Sequence, residues 1–161
     1  MIYRIATLCD LNQILSMKNR VKERIVKENL PIWLNGYPLD EMISEDIDLQ
    51  YGRVVEIDGK IVSYAVFLPS NIEYEDHIPN VENKYSFGRV MVDDNYTGLG
   101  IGRFLVSNMI NEAKQNGSEG MIITADNCNK KATNLYESFG FIKIGEKQFP
   151  YAYLTIYELI F

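Results

Sequence analysis

The hydrophobic positions of this chain follow two periods, that of helices and that of strands. Between Leu11 and Ile25, apolar residues recur at intervals of three or four positions, which predicts a first helix that ends near Lys27. Thr7 and Asp10 precede this helix with the spacing of a capping box. The sequence therefore predicts both where this helix starts and which of its faces is buried.

Alternating and continuous apolar runs predict the strands. The clearest signal is a hairpin, in which residues 53–57 and 60–68 are rich in strand-forming types and Asp58-Gly59 permits the positive φ angles of a type I′ turn. A continuous apolar run at 121–125 indicates a buried strand. The other expected elements are a strand at 2–6, a helix at 39–47, a loop at 69–84, a strand at 85–92, a helix from 103 to about 116, a helix at 129–138, and antiparallel strands at 141–146 and 152–160.

The order of these elements, βααβββαβαββ, predicts an α/β fold with a mixed sheet and helices on both faces. The chain has 161 residues, of which 47% are hydrophobic and 24% are charged, as in ordinary globular proteins. This length suffices for one compact domain and is short for two. We therefore expect a single domain over residues 1–161.

The charge and the cysteine usage exclude several classes of function. A formal net charge of −6 disfavours binding to nucleic acid, because such proteins usually present a basic face. No apolar run approaches the roughly 20 residues that span a membrane, so we expect no membrane partner and a cytoplasmic location. Cys9, Cys128 and His77 lack any metal-ligand spacing, which predicts that no metal is bound.

The most informative segment is Asp93–Gly102, which joins a strand-like stretch to an amphipathic helical one. Its three glycines at alternate positions leave backbone N–H groups unobstructed where a helix begins, and such a start attracts anions. The segment therefore predicts a bound phosphate or diphosphate. It is not a Walker loop, because Arg103 and Phe104 follow the last glycine, and it is not a dinucleotide loop, because Leu105 replaces the required glycine.

A second motif, Asn129–Phe141, reads Asn-Lys-Lys-Ala-Thr-Asn-Leu-Tyr-Glu-Ser-Phe-Gly-Phe. Together with Thr97–Gly102, from which one helix and one strand separate it, this motif resembles the signature of the GNAT N-acetyltransferase superfamily. The resemblance implies a mostly antiparallel sheet that is splayed near the middle, acetyl-CoA as cosubstrate, and acetyl transfer to a primary amine by direct attack. Thr97 stands where the family usually has Arg or Gln. Asp94 stands where it often has proline, and its carboxylate would weaken diphosphate binding if it pointed inward.

The resemblance also assigns roles to individual residues. The Val92 amide would donate to the thioester oxygen, and Tyr136 would protonate the departing thiolate, since a phenol stays protonated at neutral pH. The side chains of Arg103 and of Lys130 or Lys131 would offset the acidic field of the protein near the phosphates. The residues expected to bind acetyl-CoA are Val90, Val92, Thr97, Gly98, Leu99, Gly100, Ile101, Gly102, Arg103, Asn129, Lys131 and Tyr136.

The general base and the acceptor remain open at the level of sequence. The candidates for the base are a water chain and the side chains of Glu73, Glu75, Asp76, His77 and Asp93. The acceptor is a small amine, an amino acid or a protein amine, and the residues expected near it are Trp33, Tyr37, Glu73 and His77. Cys128 is expected to be a packing residue. A module that senses acyl-CoA with little catalysis is the alternative function, and homodimerisation is compatible with this fold.

Overall fold

The structure, a computed structural model, describes residues 1–70, 82–149 and 152–161. Its strands are β1 (Ile2–Ile5), β2 (Gly52–Ile57), β3 (Lys60–Pro69), β4 (Lys84–Val92), β5 (Gly120–Asp126), β6 (Ile142–Phe149) and β7 (Ala152–Ile160). Its α-helices are α1 (Leu11–Lys27), α2 (Asp40–Asp48), α3 (Ile101–Gln115) and α4 (Lys130–Glu137), with 3₁₀ turns at Leu8–Asp10 and Asp94–Tyr96. The predicted order of elements is confirmed.

The strands form one seven-stranded sheet in the order β1-β2-β3-β4-β5-β7-β6. Neighbouring strands are antiparallel except for β4 and β5, which are parallel. In the described residues, β4 and β5 pair only at Lys84 with Gly120 and at Tyr85 with Met121. Both strands continue for several residues beyond these pairs without hydrogen-bonding each other. The sheet is therefore splayed near its middle, and the gap leaves the inner edge of each strand unpaired.

The helices cover both faces of the sheet. Helices α1 and α2 pack on one face, where Ile14 and Ile43 meet Tyr64 and Met91 in a continuous apolar cluster. Helices α3 and α4 pack on the other face, where the buried residues are Val55, Val62, Ala65, Phe67, Phe87, Ile101, Leu105, Val106, Met109, Ile110, Ala113, Met121, Ile123, Ala125, Tyr136, Phe141 and Tyr157. Burial of these two apolar layers is the main force that holds the helices against the sheet.

Strand β4 contains a bulge that changes which way its residues face. Tyr64 and Val66 of β3 pair with Met91 and Gly88, so β4 carries one extra residue between these pairs. As a result, Phe87 packs under α3 and α4 whereas Met91 packs under α1 and α2. In an uninterrupted strand, two residues four positions apart would point to the same face.

Pairing with β3 sets the direction of the backbone amides at the end of β4. The Asp93 N–H donates to the carbonyl of Val62 in β3 at 2.9 Å. Because N–H groups of successive strand residues point to opposite edges, the Val92 amide points away from β3, into the gap beside β5.

The sequence placed most boundaries correctly, and the differences have local causes. The capping box is present, since Asp10 Oδ2 accepts from the Thr7 N–H at 2.8 Å. Strand β6 continues to Phe149, past the expected end at 146, because Gln148 and Phe149 still pair with β7. Most of the loop predicted at 69–84, including the candidate residues Glu73, Glu75, Asp76 and His77, lies outside the described residues.

Candidate active site

A cavity of about 720 Å³ occupies the gap between β4 and β5. It is lined from both faces of the sheet. On one side lie residues of the glycine segment and of α4, and on the other side lie residues of α1 and of the connection between α1 and α2. The predicted site residues that line it are Trp33, Tyr37, Val90, Val92, Thr97, Gly98, Gly100, Ile101, Gly102, Arg103, Asn129, Lys131 and Tyr136.

The glycine segment forms a candidate anion cradle, which we define as residues 97–103. Gly98 and Gly100 have φ angles of 80° and 75°, in the left-handed region that favours glycine. A Cβ built on either residue would have no heavy atom within 4 Å, so the space beside this backbone is open to a ligand. Gly100 is the N-cap of α3, and the N–H groups of the first helical turn have no partner within the helix. This geometry fits a diphosphate.

Positive side chains stand beside the cradle. Arg103 and Lys131 both line the cavity, whereas Lys130, the other lysine that the sequence left open, does not. The Arg103 guanidinium donates to Ser138 Oγ at 2.8 Å and lies 5.0 Å from the centre of the Phe139 ring. It is thereby anchored to the end of α4. Leu99 is not a lining residue, and its side chain is 61% exposed.

The two acidic residues before the cradle are neutralised by helix α1. Asp94 forms an ion pair with Arg24 at 2.5 Å. Asp93, which is buried, pairs with Arg20 and accepts from the Asn95 N–H at 3.0 Å. The Asp94 carboxylate is therefore held by α1 and its charge is offset. Both Asp93 oxygens already have donors, which favours a structural role for this residue over that of a base.

Tyr136 reaches the cavity from α4 and is almost completely buried. Its ring makes edge contacts with Phe87 and Phe141, with centroids 5.3 and 6.2 Å away. No described residue forms a hydrogen bond with its hydroxyl group, whose oxygen is accessible from the cavity. Burial raises the pKa of Tyr136 above its ordinary value of 10, so the phenol keeps its proton at neutral pH.

Two further predicted residues, Val92 and Asn129, line the cavity. Asn129 is the N-cap of α4, where its Oδ1 accepts from the Ala132 N–H at 3.3 Å. The Val92 amide points into the gap, and Val92 also lines the cavity. A backbone donor at this position would be fixed in place before any ligand arrives, because β3 holds the other edge of the strand.

The opposite end of the cavity is aromatic and carries a partly buried arginine. Trp33 and Tyr37 lie edge to face with their ring centroids 6.4 Å apart. Trp33 has a φ angle of 53°, which is uncommon for a bulky residue. It lies in the connection between α1 and α2, which also lines the cavity. The Arg89 guanidinium lies 5.8 Å from the centre of the Tyr37 ring.

Cys128 is not an activated nucleophile. Its Sγ donates to Asp126 Oδ1 at 2.9 Å. Burial together with the neighbouring carboxylate raises the pKa of this thiol to about 11, so the thiol stays protonated at neutral pH. This agrees with a packing role. Across residues 1–70, 82–149 and 152–161, no group of three or more His, Cys, Asp or Glu side chains is arranged to hold a metal ion.

Known proteins share both this sequence pattern and this architecture. The profile of the acetyltransferase (GNAT) family matches residues 22–141. The chain belongs to the GNAT acetyltransferase family. A GNAT-family acetyltransferase from Streptococcus agalactiae has the same fold, with a TM-score of 0.86 and 20% identity over 99% of this chain and 95% of that one.

Three further similar proteins are named as N-acetyltransferases, one of them, camello, as a probable one. An N-alpha-acetyltransferase from Sulfolobus acidocaldarius is 26% identical over 149 residues, which are 88% of this chain and 79% of that protein. The ribosomal-protein-alanine N-acetyltransferase of Brucella melitensis is 25% identical, with a TM-score of 0.74 over 100% of both chains. The protein camello of Xenopus tropicalis is 33% identical over 90 residues, and this match spans only 37% of camello's length.

Sequence reasoning missed the charged residues of this GNAT site that lie outside its motifs. Arg24 and Arg89 line the cavity, yet neither belongs to a recognisable pattern. The one available signal was Gly88, since a glycine inside a strand often marks a bulge, and Arg89 follows it directly. As for membrane association, none of the helices in the described part of the chain has the length and apolar character to span a bilayer.

Proposed function

We propose that this protein transfers the acetyl group of acetyl-CoA to a primary amine by direct attack within a ternary complex. The observation that carries the proposal is the single cavity that runs from the anion cradle, through the gap in the sheet, to the aromatic pocket. Such a cavity would hold a donor and an acceptor at the same time and would bring their reacting atoms together without an acyl-enzyme.

The residues of this chain would have the following roles in the reaction. Backbone amides of the cradle would bind the diphosphate, and Arg103 and Lys131 would offset its charge. The Val92 amide would donate a hydrogen bond to the thioester oxygen as negative charge develops there, a contribution that reaches about 3–4 kcal/mol in other enzymes. Tyr136 would give its proton to the departing sulfur. The thioester supplies the activated acyl carbon that the amine attacks.

The acceptor must lose a proton before it attacks. Asp93, the candidate base within the described residues, is engaged by Arg20 and by the backbone of Asn95. Of the remaining candidates, we propose water in the cavity as the carrier of this proton to solvent. This assignment predicts that activity rises with pH as the amine of the acceptor, rather than a group of the protein, loses its proton.

A thiol-release assay tests the proposed function. We expect the protein to release coenzyme A from acetyl-CoA only when an amine is present, and initial-rate plots against the two substrates to intersect, as a ternary complex requires. Tight binding of acetyl-CoA without amine-dependent release over a broad panel of amines and peptides would instead indicate an acyl-CoA sensor.

The ion pair between Arg24 and Asp94 gives a separate prediction. Replacing Arg24 by alanine is expected to weaken coenzyme A binding about two- to fivefold, because a partly exposed pair contributes up to about 1 kcal/mol and its loss leaves Asp94 uncompensated. Calorimetry at low salt would measure this effect, which should shrink as salt screens the carboxylate. The double variant Arg24→Ala/Asp94→Ala should recover the affinity. If it stays as weak as the single variant, Asp94 has no influence on the diphosphate.

A further inference from the structure

Arg89 is placed on the acceptor side of the cavity by the bulge in β4. It has a φ angle of 51°, in the left-handed region, and it lies in the stretch where β4 carries its extra residue. Its side chain points toward α2 and Tyr37, not toward the cradle on the other face. A strained backbone that directs a charged side chain into a cavity is a common feature of functional sites.

The charge of Arg89 is only partly balanced by the protein. Its Nη1 lies 3.3 Å from both carboxylate oxygens of Asp46, which is longer than a strong charge-assisted hydrogen bond. Asp46 also accepts from the Tyr64 hydroxyl at 2.9 Å. Burial raises the pKa of Asp46 in spite of the nearby guanidinium, so the carboxylate is itself poorly stabilised.

The guanidinium also has unused hydrogen-bonding capacity. Its Nε is buried and donates to no acceptor within the described residues. A guanidinium presents a planar fork of N–H groups that matches a carboxylate, and a buried donor without an acceptor is costly. Among the described residues, Arg89 Nη2 also has no acceptor, and it is not buried. Because Arg89 lines the cavity, an anionic group there would accept from this nitrogen.

The other charges around the cavity do not cancel this positive end. Among the described lining residues, the cations are Arg24, Arg89, Arg103 and Lys131, whereas Asp126 is the one carboxylate. Asp126 accepts from the N–H and Sγ of Cys128. Arg24 is paired with Asp94, and Arg103 and Lys131 stand beside the cradle, so on the acceptor side Arg89 is the lining cation among the described residues. A carboxylate of the acceptor would be attracted to Arg89, whereas a plain ammonium would be repelled by it.

We propose that the acceptor is a small amine with a carboxylate, as in a free amino acid, and that Arg89 binds this carboxylate. This inference rests on the proposed function, since it names the acceptor class of that same site. Ile32, Trp33 and Tyr37 would contact the rest of the acceptor, which favours an apolar side chain. A peptide N-terminus would fit less well, because an amide replaces the carboxylate next to its amine.

A matched pair of substrates tests the inference in the wild-type protein. Free L-amino acids would each be assayed beside the corresponding carboxamide, which has the same shape but no negative charge. The amine of a carboxamide has a lower pKa than that of the acid, so kcat/KM is calculated on the concentration of deprotonated amine. On this basis we expect kcat/KM to be about tenfold to hundredfold higher for the acid, as charge-assisted hydrogen bonds to a partly buried arginine allow. Equal or faster acetylation of the carboxamides, of peptides or of polyamines would overturn the inference and leave acetyl transfer intact.

The variant Arg89→Gln then tests the residue. This variant should raise KM for the acids so far that acids and carboxamides have equal kcat/KM, with kcat changed much less. Arg89→Lys should keep part of the preference for acids. Lys60→Gln removes an equal charge from the exposed first residue of β3 and should keep the whole preference for acids. A preference for acids that survives in Arg89→Gln would contradict the role of Arg89.

A binding measurement separates failure of this inference from failure of the proposed function. Calorimetry would titrate the same amino acids into protein loaded with coenzyme A. Binding that Arg89→Gln abolishes, without turnover by the wild type, would support the carboxylate site and contradict acetyl transfer. Absence of both binding and turnover would contradict the carboxylate site.

Discussion

Replacement of Tyr136 by phenylalanine is expected to lower kcat by about 100-fold or more, which is the usual loss when a general acid is removed. The affinity for acetyl-CoA should stay close to that of the wild type, because the ring and its contacts with Phe87 and Phe141 are retained. Stopped-flow or steady-state thiol release measures kcat, and calorimetry measures the affinity. Unchanged turnover would remove Tyr136 from the mechanism.

The melting temperature of Tyr136→Phe distinguishes a catalytic role of Tyr136 from a packing role. No described residue bonds to its hydroxyl, so loss of the oxygen should leave the melting temperature unchanged or slightly higher. Tyr157→Phe is a matched control, since Tyr157 is buried in the same apolar cluster but does not line the cavity. That variant loses a 3.4 Å contact with Glu137 and should be slightly less stable and fully active.

Replacement of Gly100 by alanine is expected to weaken the binding of acetyl-CoA by about tenfold to hundredfold. A Cβ at this N-cap position would stand in the open space of the cradle, and hydrogen bonds from backbone amides to a charged diphosphate are each worth about 1.5–3 kcal/mol. Calorimetry with coenzyme A, and protection of the protein by acetyl-CoA against thermal unfolding, would both report the loss.

Gly117→Ala provides the control for backbone strain. Gly100 and Gly117 have φ angles of 75° and 73°, and neither has a heavy atom within 4 Å of the position of a Cβ. Both substitutions should therefore cost a similar free energy of unfolding, about 1–2 kcal/mol. Only Gly100→Ala should affect coenzyme A. Equal loss of affinity in both variants would mean that destabilisation, not the cradle, is responsible.

The parts of the fold that were predictable are those specified by neighbours in sequence. Helix α1 follows from apolar residues at helical spacing, and the hairpin of β2 and β3 follows from Asp58-Gly59, whose φ angles of 49° and 75° are those the turn requires. The cradle was likewise predictable, because its glycines and the start of α3 lie within a few residues of each other.

The ion pairs around the site could not be predicted from neighbouring residues in the sequence. Arg89 and Asp46 are 43 positions apart, and Arg24 and Asp94 are 70 positions apart. Each pair is created by packing of α1 or α2 against β4 and the turn after it, and no local periodicity reports such a contact. For the same reason the sequence indicated Asp93 as a candidate base but did not show that Arg20 forms an ion pair with its carboxylate.

The extra residue in β4 constrains how this strand can change during evolution. Loss of one residue between Gly88 and Met91 would let both keep their partners Val66 and Tyr64 in β3, but it would remove the extra residue and the left-handed backbone conformation at Arg89. Substitutions in this stretch can be accommodated one at a time, whereas a deletion would remove the bulge and move the Arg89 side chain. We therefore expect related proteins to conserve the length of β4 more strictly than its amino acids.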